Sequence, residues 1–153
     1  MEKPSVKDFI KKTIIWGAEP YFRARYLRGE ISLPRDPKVS FCTTVMGRLH
    51  HLQETLPQNL EDNKNDPNVE FVILNYNSPD RLDAWARAHL TEAIASGKVQ
   101  YYKTEEPRYF KMSHAKNIAH KLATGDIVCN LDADGFTGKG FAHFLAEVFQ
   151  KEQ

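Results

Sequence analysis

The run VEFVILN at residues 69–75 is short, β-branched and aromatic, as a strand buried on both faces of a sheet should be. Three further runs share this character and are also predicted to be strands. They are VSFCTTVM at 39–46, KVQYYK at 98–103 and IVCNL at 127–131. Helical patterns separate the four runs, and this alternation predicts an α/β fold.

The helical patterns have marked ends. The first spans residues 48–62, where leucines recur at three- and four-residue steps, and Pro57 should kink it or split off its last turn. The second opens with Ser78 as N-cap and Pro79 at its first position, and it ends at Gly97. Its inward side chains are predicted to be Leu82, Trp85, Ala86, Leu90 and Ile94.

Two more helices complete the pattern, one from near Ser113 to Gly125 and one at about 140–150. The former is predicted to bury Ala115, Ile118, Ala119 and Leu122. Strands joined by crossover helices predict a mostly parallel, Rossmann-like sheet with flanking helices and right-handed connections. In such sheets ligands bind outside the carboxyl ends of the strands.

Composition indicates one domain, because the chain has 153 residues and a formal net charge of +1. So small a charge argues against a nucleic-acid-binding protein. No apolar run is long enough to span a membrane and the start lacks a secretory signal, so we expect a cytoplasmic protein. Cys42 and Cys129 lie inside apolar runs and are interpreted as buried, reduced core residues, with a disulfide or a redox role as the alternative.

Residues 1–37 differ in character from residues 38–153, which we interpret as the α/β domain. Around Lys7 to Trp16, apolar side chains alternate with lysines. The segment is interpreted as a helix packed on the domain. The alternative is a basic amphipathic segment that lies on an anionic membrane surface, making the protein peripheral to the membrane, or that docks a partner.

Two acids follow the fourth strand, in the stretch NLDADG at residues 130–135. Asp132 and Asp134 are separated by one residue, so on an extended segment their side chains point the same way. At the carboxyl end of a strand, such carboxylates can hold a hard divalent cation that keeps open positions for phosphate oxygens. The alternative is a solvated turn between strand and loop.

The stretch KNIAHKLATGDIVCNLDADGF, residues 116–136, resembles a motif of family 2 glycosyltransferases, the nucleotide-sugar enzymes with the GT-A fold. That motif combines Lys/Arg-Asn, small residues, Ala-x-Gly-Asp, an apolar strand and Asp-Ala-Asp. The segments 39–60 and 72–85 resemble, in order and spacing, the family's first strand and helix and its second strand and nucleotide loop.

The resemblance implies a nucleotide site on the first two loops. Thr43, Thr44 and Arg48 match the loop that holds the base and ribose. Asn75 and Ser78 match the loop where the family commonly has Asp-x-x-Ser-x-Asp and an Asp binds the base. Here an amide replaces the first carboxylate, which leaves the identity of the base open, whereas the last acid of the pattern, Asp80, is kept.

The resemblance also implies a diphosphate and metal site. Lys116 and Asn117 match residues near the diphosphate and sugar, and Asp132 would face the ribose or sugar. Asp134, with Asp132, would ligate Mn²⁺ or Mg²⁺ bridging the two phosphates. Such a cation stabilises a phosphate leaving group as a Lewis acid, and Lys116 would add to its charge.

Only residues 135–153 follow the acids, whereas the family continues with an acceptor-binding half that carries a further metal ligand and the catalytic base. Two hypotheses remain. The chain is the donor-binding portion of a glycosyltransferase, with a UDP- or GDP-sugar donor and a glycan or other hydroxyl compound as acceptor. Alternatively, it is an inactive nucleotide-sugar binding module. The catalytic base is unassigned, and Glu147 is interpreted as solvated.

Overall fold

Four parallel strands form one sheet in this computed structural model, which describes residues 33–151. The strands are β1 (Val39–Val45), β2 (Val69–Tyr76), β3 (Val99–Thr104) and β4 (Ile127–Asn130), in the order β3-β2-β1-β4. The predicted parallel sheet is confirmed, and each strand lies within two residues of its predicted bounds. All of β2 is buried, as its continuous apolar run predicts.

The helices are α1 (Leu49–Asp62), α2 (Leu82–His89), α3 (Thr91–Ala95), α4 (Met112–Leu122) and α5 (Phe141–Lys151). Pro57 lies inside α1 without splitting off its last turn, which corrects one alternative of the prediction. The proline removes the hydrogen bond to the carbonyl of Gln53. Both residues are exposed, so water can satisfy that carbonyl.

The single helix predicted between Ser78 and Gly97 is wrong. Helix α2 begins three residues later than expected, at Leu82, and Ser78 is not its N-cap. The helix is then interrupted at the buried Leu90, and α3 begins at the next residue. This break takes Ile94 off the inward stripe and leaves it 39% exposed.

Apolar side chains cover both faces of the sheet. On one face, Phe41 and Phe71 pack with residues of α1, α2 and α5. On the other, Val72 and Leu74 pack against α4, whose four predicted core residues are all buried. Both cysteines are free; Cys42 is buried as predicted, but Cys129 lies on the edge strand β4 and is only half-buried.

A carboxylate is buried among the apolar residues of the α4 face. Glu70 on β2 is completely buried, and its two oxygens accept four hydrogen bonds. The donors are Lys38 Nζ (2.6 Å), Ser40 Oγ (2.7 Å), and Thr124 through its backbone N–H (2.7 Å) and its hydroxyl (2.8 Å). Burial alone would raise the pKa of Glu70, but these hydrogen bonds outweigh it and leave the pKa below 4.5.

The segment before β4 is clamped to the same network. The N–H of Gly125 donates to Ser40 Oγ (2.8 Å), and the N–H of Lys38 donates to Asp126 Oδ2 (2.9 Å). A Cβ atom at Gly125 would lie 2.5 Å from Ser40 Oγ and 2.7 Å from the carbonyl oxygen of Lys38, so only glycine fits. The Ala-Thr-Gly-Asp stretch therefore joins the amino ends of β1, β2 and β4.

Replacing the buried carboxylate should destabilise the fold. In Glu70→Gln, Lys38 loses its ion-pair partner and an amide group faces donors, so we expect the free energy of unfolding to fall by about 3 kcal/mol. Glu61→Gln breaks the exposed pair with Lys64 and should cost less than about 1 kcal/mol. Urea unfolding of both variants measures this difference, and equal losses would contradict it.

The network should also make stability depend on pH. The pKa of Glu70 is lowered in the folded protein. Its contribution to the free energy of unfolding is therefore fully present above pH 4.5, the ordinary pKa of a glutamate side chain in the unfolded chain. It is lost as the pH falls from there through the folded pKa. The gap in unfolding free energy between wild type and Glu70→Gln should therefore narrow as the pH falls below 4.5, and a constant gap would refute this assignment.

Candidate functional site

The loops that follow the strands meet at one edge of the sheet, here called the carboxyl edge. Val45 at the end of β1 is in register with Asn75 on β2, and Asn75 with Lys103 on β3. β4 joins on the other side of β1, where Cys42 is in register with Asn130. Most of the predicted site residues therefore lie at or just beyond this edge.

The predicted nucleoside contacts of the first strand are not on one surface. Thr43 is buried on the face that carries α1, whereas Thr44 is half-buried on the face that carries α4. Arg48 lies after the strand, exposed, immediately before α1. The structure thus brings Arg48 to the carboxyl edge and separates the two threonines.

Asn75 is buried and its amide binds the protein itself. Its Oδ1 accepts the N–H of Ser78 (2.8 Å), and its Nδ2 donates to Tyr101 Oη (2.9 Å). That hydroxyl in turn donates to Asp83 at 3.4 Å, and burial raises the pKa of Tyr101 to about 12. Asn75 therefore shapes the loop after β2 and joins it to β3.

A chain of hydrogen bonds connects the loops after β1 and β2. Ser78 Oγ accepts the N–H of Gly47 (2.7 Å) and donates to Asp80 Oδ1 (2.8 Å). Asp80 also accepts the N–H of Leu49 (3.0 Å) and that of Leu82 (3.2 Å), the first residues of α1 and α2. Sequence reasoning recognised the acid but missed this link, since Leu49 and Asp80 are 31 positions apart.

Lys116 and Asp132 are in contact. The sequence predicts both as members of the diphosphate and metal site. Lys116 Nζ on α4 lies 3.2 Å from Asp132 Oδ1 beyond β4. The lysine side chain is 26% exposed and the carboxylate 72% exposed, so the pair faces solvent. Asn117, the next residue of α4, is also exposed.

The two acids lie in a tight turn, not on the extended segment that we expected. β4 ends at Asn130, and the N–H of Gly135 donates to the carbonyl oxygen of Asp132 (2.8 Å). Residues 132–135 are called the acidic turn below. Asp132 and Asp134 are exposed on either side of the buried Ala133. The prediction that extended backbone aligns the two carboxylates is therefore wrong.

Polar side chains of α1 hold the acidic turn. Thr55 Oγ1 donates to the carbonyl oxygen of Ala133 (2.7 Å), and Asn59 Nδ2 donates to that of Gly135 (3.0 Å). Both side chains are buried. Sequence reasoning missed this role, although a threonine and an asparagine four residues apart beside the leucine stripe of α1 were a usable signal.

Aromatic side chains lie beside the start of α4. Tyr76, at the end of β2, is buried, and its hydroxyl is 2.7 Å from Nδ1 of His114. Burial raises the pKa of Tyr76. Phe110 packs edge-on against Tyr76 while 44% exposed, and Tyr109 is 77% exposed. This stretch forms an apolar rim of the carboxyl edge.

A cavity of about 700 Å³ lies at the opposite, amino edge of the sheet, between α1 and the end of α3. Its three lysines already have partners: Lys38 with Glu70, Lys64 with Glu61, and Lys98 with the carbonyl oxygen of Asp66. The carboxyl edge, where an acidic turn and a lysine face solvent, is therefore the better candidate for a functional site than this cavity.

Among residues 33–151, no three His, Cys, Asp or Glu side chains form a cluster that could hold a metal ion. In the same part of the chain, no helix has the length and apolar character needed to cross a membrane. The predicted N-terminal segment falls mainly on residues 1–32, outside those described.

The sequence model of glycosyl transferase family 2 matches residues 40–153, which is most of the chain. The chain belongs to this family. The resemblance drawn from the motifs is thereby confirmed. A search of curated proteins finds no significant match.

Solved structures show that the fold is GT-A. A mannosyltransferase of Pyrobaculum calidifontis, in complex with GDP-Man and Mn²⁺, is 23% identical with a TM-score of 0.55. It is matched over 86% of this chain and 39% of its own. Residues 1–349 of Staphylococcus aureus TarS, in complex with UDP-GlcNAc, are 17% identical with a TM-score of 0.61, over 74% and 31%. The family 2 chain thus spans 31–39% of these two neighbours.

The network around Asn75 predicts that its amide stabilises the loop after β2. Asn75→Ala leaves the N–H of Ser78 and the hydroxyl of Tyr101 without their partner, and should lower the free energy of unfolding by about 2 kcal/mol. Tyr101→Phe removes the bond from Asn75 and the long contact to Asp83 but keeps the bond from Ser78 to Asn75, and should cost about 1 kcal/mol. Urea titration compares the two, and a smaller loss in Asn75→Ala would contradict the prediction.

Proposed function

We propose that this chain binds a nucleoside diphosphate sugar at the carboxyl edge of its sheet, as the donor-binding portion of a glycosyltransferase. One observation carries the proposal: the ammonium of Lys116 lies 3.2 Å from Asp132, beside the exposed acidic turn. A cation and carboxylates at the end of a parallel strand suit a diphosphate and its metal ion. Membership of family 2 supports the same chemistry.

The donor class is supported by the neighbours of the same fold. The mannosyltransferase was solved with GDP-Man and Mn²⁺, and TarS with UDP-GlcNAc. We therefore propose UDP- and GDP-sugars as the donors to test. The acceptor that we propose is a glycan or another compound with a free hydroxyl.

Asp132 and Asp134 fit a divalent cation by the chemistry of their donor atoms. Mg²⁺ is usually held by one or two carboxylates together with substrate phosphates and water, and Mn²⁺ suits the same oxygen ligands. Among the described residues, Asp134 makes no ion pair or side-chain hydrogen bond, so its carboxylate is available. A bound cation would stabilise the negative charge of the departing nucleoside diphosphate.

The chain's own residues have complementary roles in this proposal. Lys116 adds a positive charge next to the acidic turn, where the diphosphate would bind. Arg48 and Ser78 would contact the nucleoside from the loops after β1 and β2, whereas Thr43 and Asn75 are buried in the strands that lead to these loops. Thr44 and Asn117 remain predicted contacts of the donor. In transfer, the acceptor oxygen forms a bond to the anomeric carbon, the bond from that carbon to the diphosphate oxygen breaks, and the hydroxyl proton passes to a base that is unassigned.

Removing one acid should weaken metal-dependent binding. We expect calorimetry to detect binding of UDP or GDP that is strengthened by Mn²⁺, and Asp134→Ala to weaken it at least about tenfold. Asp62→Ala is the matched control, since Asp62 ends α1 and bonds to Gln58. Its affinity should equal that of wild type.

Two outcomes would count against the proposal. Absence of nucleotide binding by wild type with Mn²⁺ present would overturn it, and equal binding by Asp134→Ala would overturn the metal site. Nucleotide binding without sugar transfer, tested on the full-length protein with a panel of hydroxyl acceptors, would favour the inactive binding module instead.

A further inference from the structure

Helices α1 and α2 both begin without a cap of their own. Arg48 and Arg81 occupy their N-cap positions, and neither makes a capping hydrogen bond through its side chain. The first turn of α1 also contains no acidic residue. Unsatisfied N–H groups and the helix dipole make such an end electropositive, so a carboxylate there is stabilising.

Asp80 supplies the missing cap to both helices. One oxygen accepts the N–H of Leu49, the first residue of α1, and the other accepts the N–H of Leu82, the first residue of α2. The hydroxyl of Ser78 donates to the same carboxylate and also accepts the N–H of Gly47. A single side chain thus fixes the loop after β1 against the loop after β2.

Helix α1 extends this linkage to the acidic turn. It begins at the N–H that Asp80 binds, and two turns later Thr55 and Asn59 hold the carbonyl oxygens of Ala133 and Gly135. The position of Asp132 and Asp134 therefore depends on where α1 lies. Asp80 sets the start of that helix.

We propose that Asp80 is a positioning residue. It aligns the loop after β1 with the loop after β2 and, through α1, aligns both with the acidic turn. This inference rests on the proposed function, because its consequence is donor affinity. Asp80 itself does not contact the donor; its carboxylate is already occupied by two backbone N–H groups and a hydroxyl. Its role is to fix the distance between Arg48 in the loop after β1 and Ser78 in the loop after β2.

The test is Asp80→Asn, which keeps the shape of the side chain but turns an NH₂ group toward one of its donors. We expect the dissociation constant for UDP or GDP with Mn²⁺ to rise about tenfold in the folded variant. Asp126→Asn is the matched control. It removes the same charge from a carboxylate that also accepts a backbone N–H, from Lys38 at the amino edge. It should lower stability and leave the affinity unchanged.

Amide hydrogen exchange provides a readout that needs no ligand. Asp80→Asn should speed exchange at Gly47, Leu49 and Leu82 together, whereas Asp126→Asn should affect none of them. If wild type binds no nucleotide, the proposed function fails while this exchange result still decides the linkage. If exchange does not rise at both loops, or if Asp80→Asn binds like wild type, the positioning role is overturned.

Ser78→Ala provides a second test of the proposal if Asp80→Asn does not fold. It removes the bridge from Gly47 to the carboxylate but leaves Asp80 on both helix ends. We expect faster exchange at Gly47 with slow exchange retained at Leu49 and Leu82. Faster exchange at Leu49 in this variant would show that Asp80 does not set the start of α1 by itself, and would overturn the inference.

Discussion

The buried carboxylate of Glu70 is the constraint on which the sheet depends. An ionised group in an apolar layer is unfavourable unless its oxygens are saturated, and here four hydrogen bonds saturate them. The donors come from the start of β1 and from the segment before β4, so satisfying Glu70 fixes where these strands begin relative to β2. The register between parallel strands carries this alignment along the sheet to its other edge, where the functional loops start.

The two edges of the sheet therefore have different roles. At the amino edge, Lys38, Thr124 and Asp126 are bound to other residues of the chain and contribute to stability. At the carboxyl edge, Asp132 and Asp134 are exposed and Lys116 is half-buried beside them, so all three remain accessible to a ligand. The longest motif of the resemblance spans both edges, so its Gly-Asp part belongs to the scaffold and its Asp-Ala-Asp part to the proposed site.

Local periodicity accounts for what could be predicted. The strands, the parallel sheet and the buried face of α4 follow from patterns a few residues long, and family resemblance placed Lys116 near Asp132. The errors concern contacts between distant positions. Helix α2 begins late because the carboxylate of Asp80 serves both Leu82 and Leu49, and the acids turn because Thr55 and Asn59 hold the backbone around them. A pattern within a few residues of sequence does not indicate which distant residues will form hydrogen bonds with each other.

The hydrogen bonds among Gly47, Ser78 and Asp80 make the sequences of the two loops depend on each other. A chimera that took residues 75–82 from a relative without the serine and the acid would leave the N–H groups of Gly47 and Leu49 unsatisfied. Exchanging residues 46–49 for a segment with proline at position 49, or with a β-branched residue in place of Gly47, whose φ is 68°, would disturb the same contacts from the other side. Engineering of this chain, and divergence among its relatives, should therefore change the two loops as a pair.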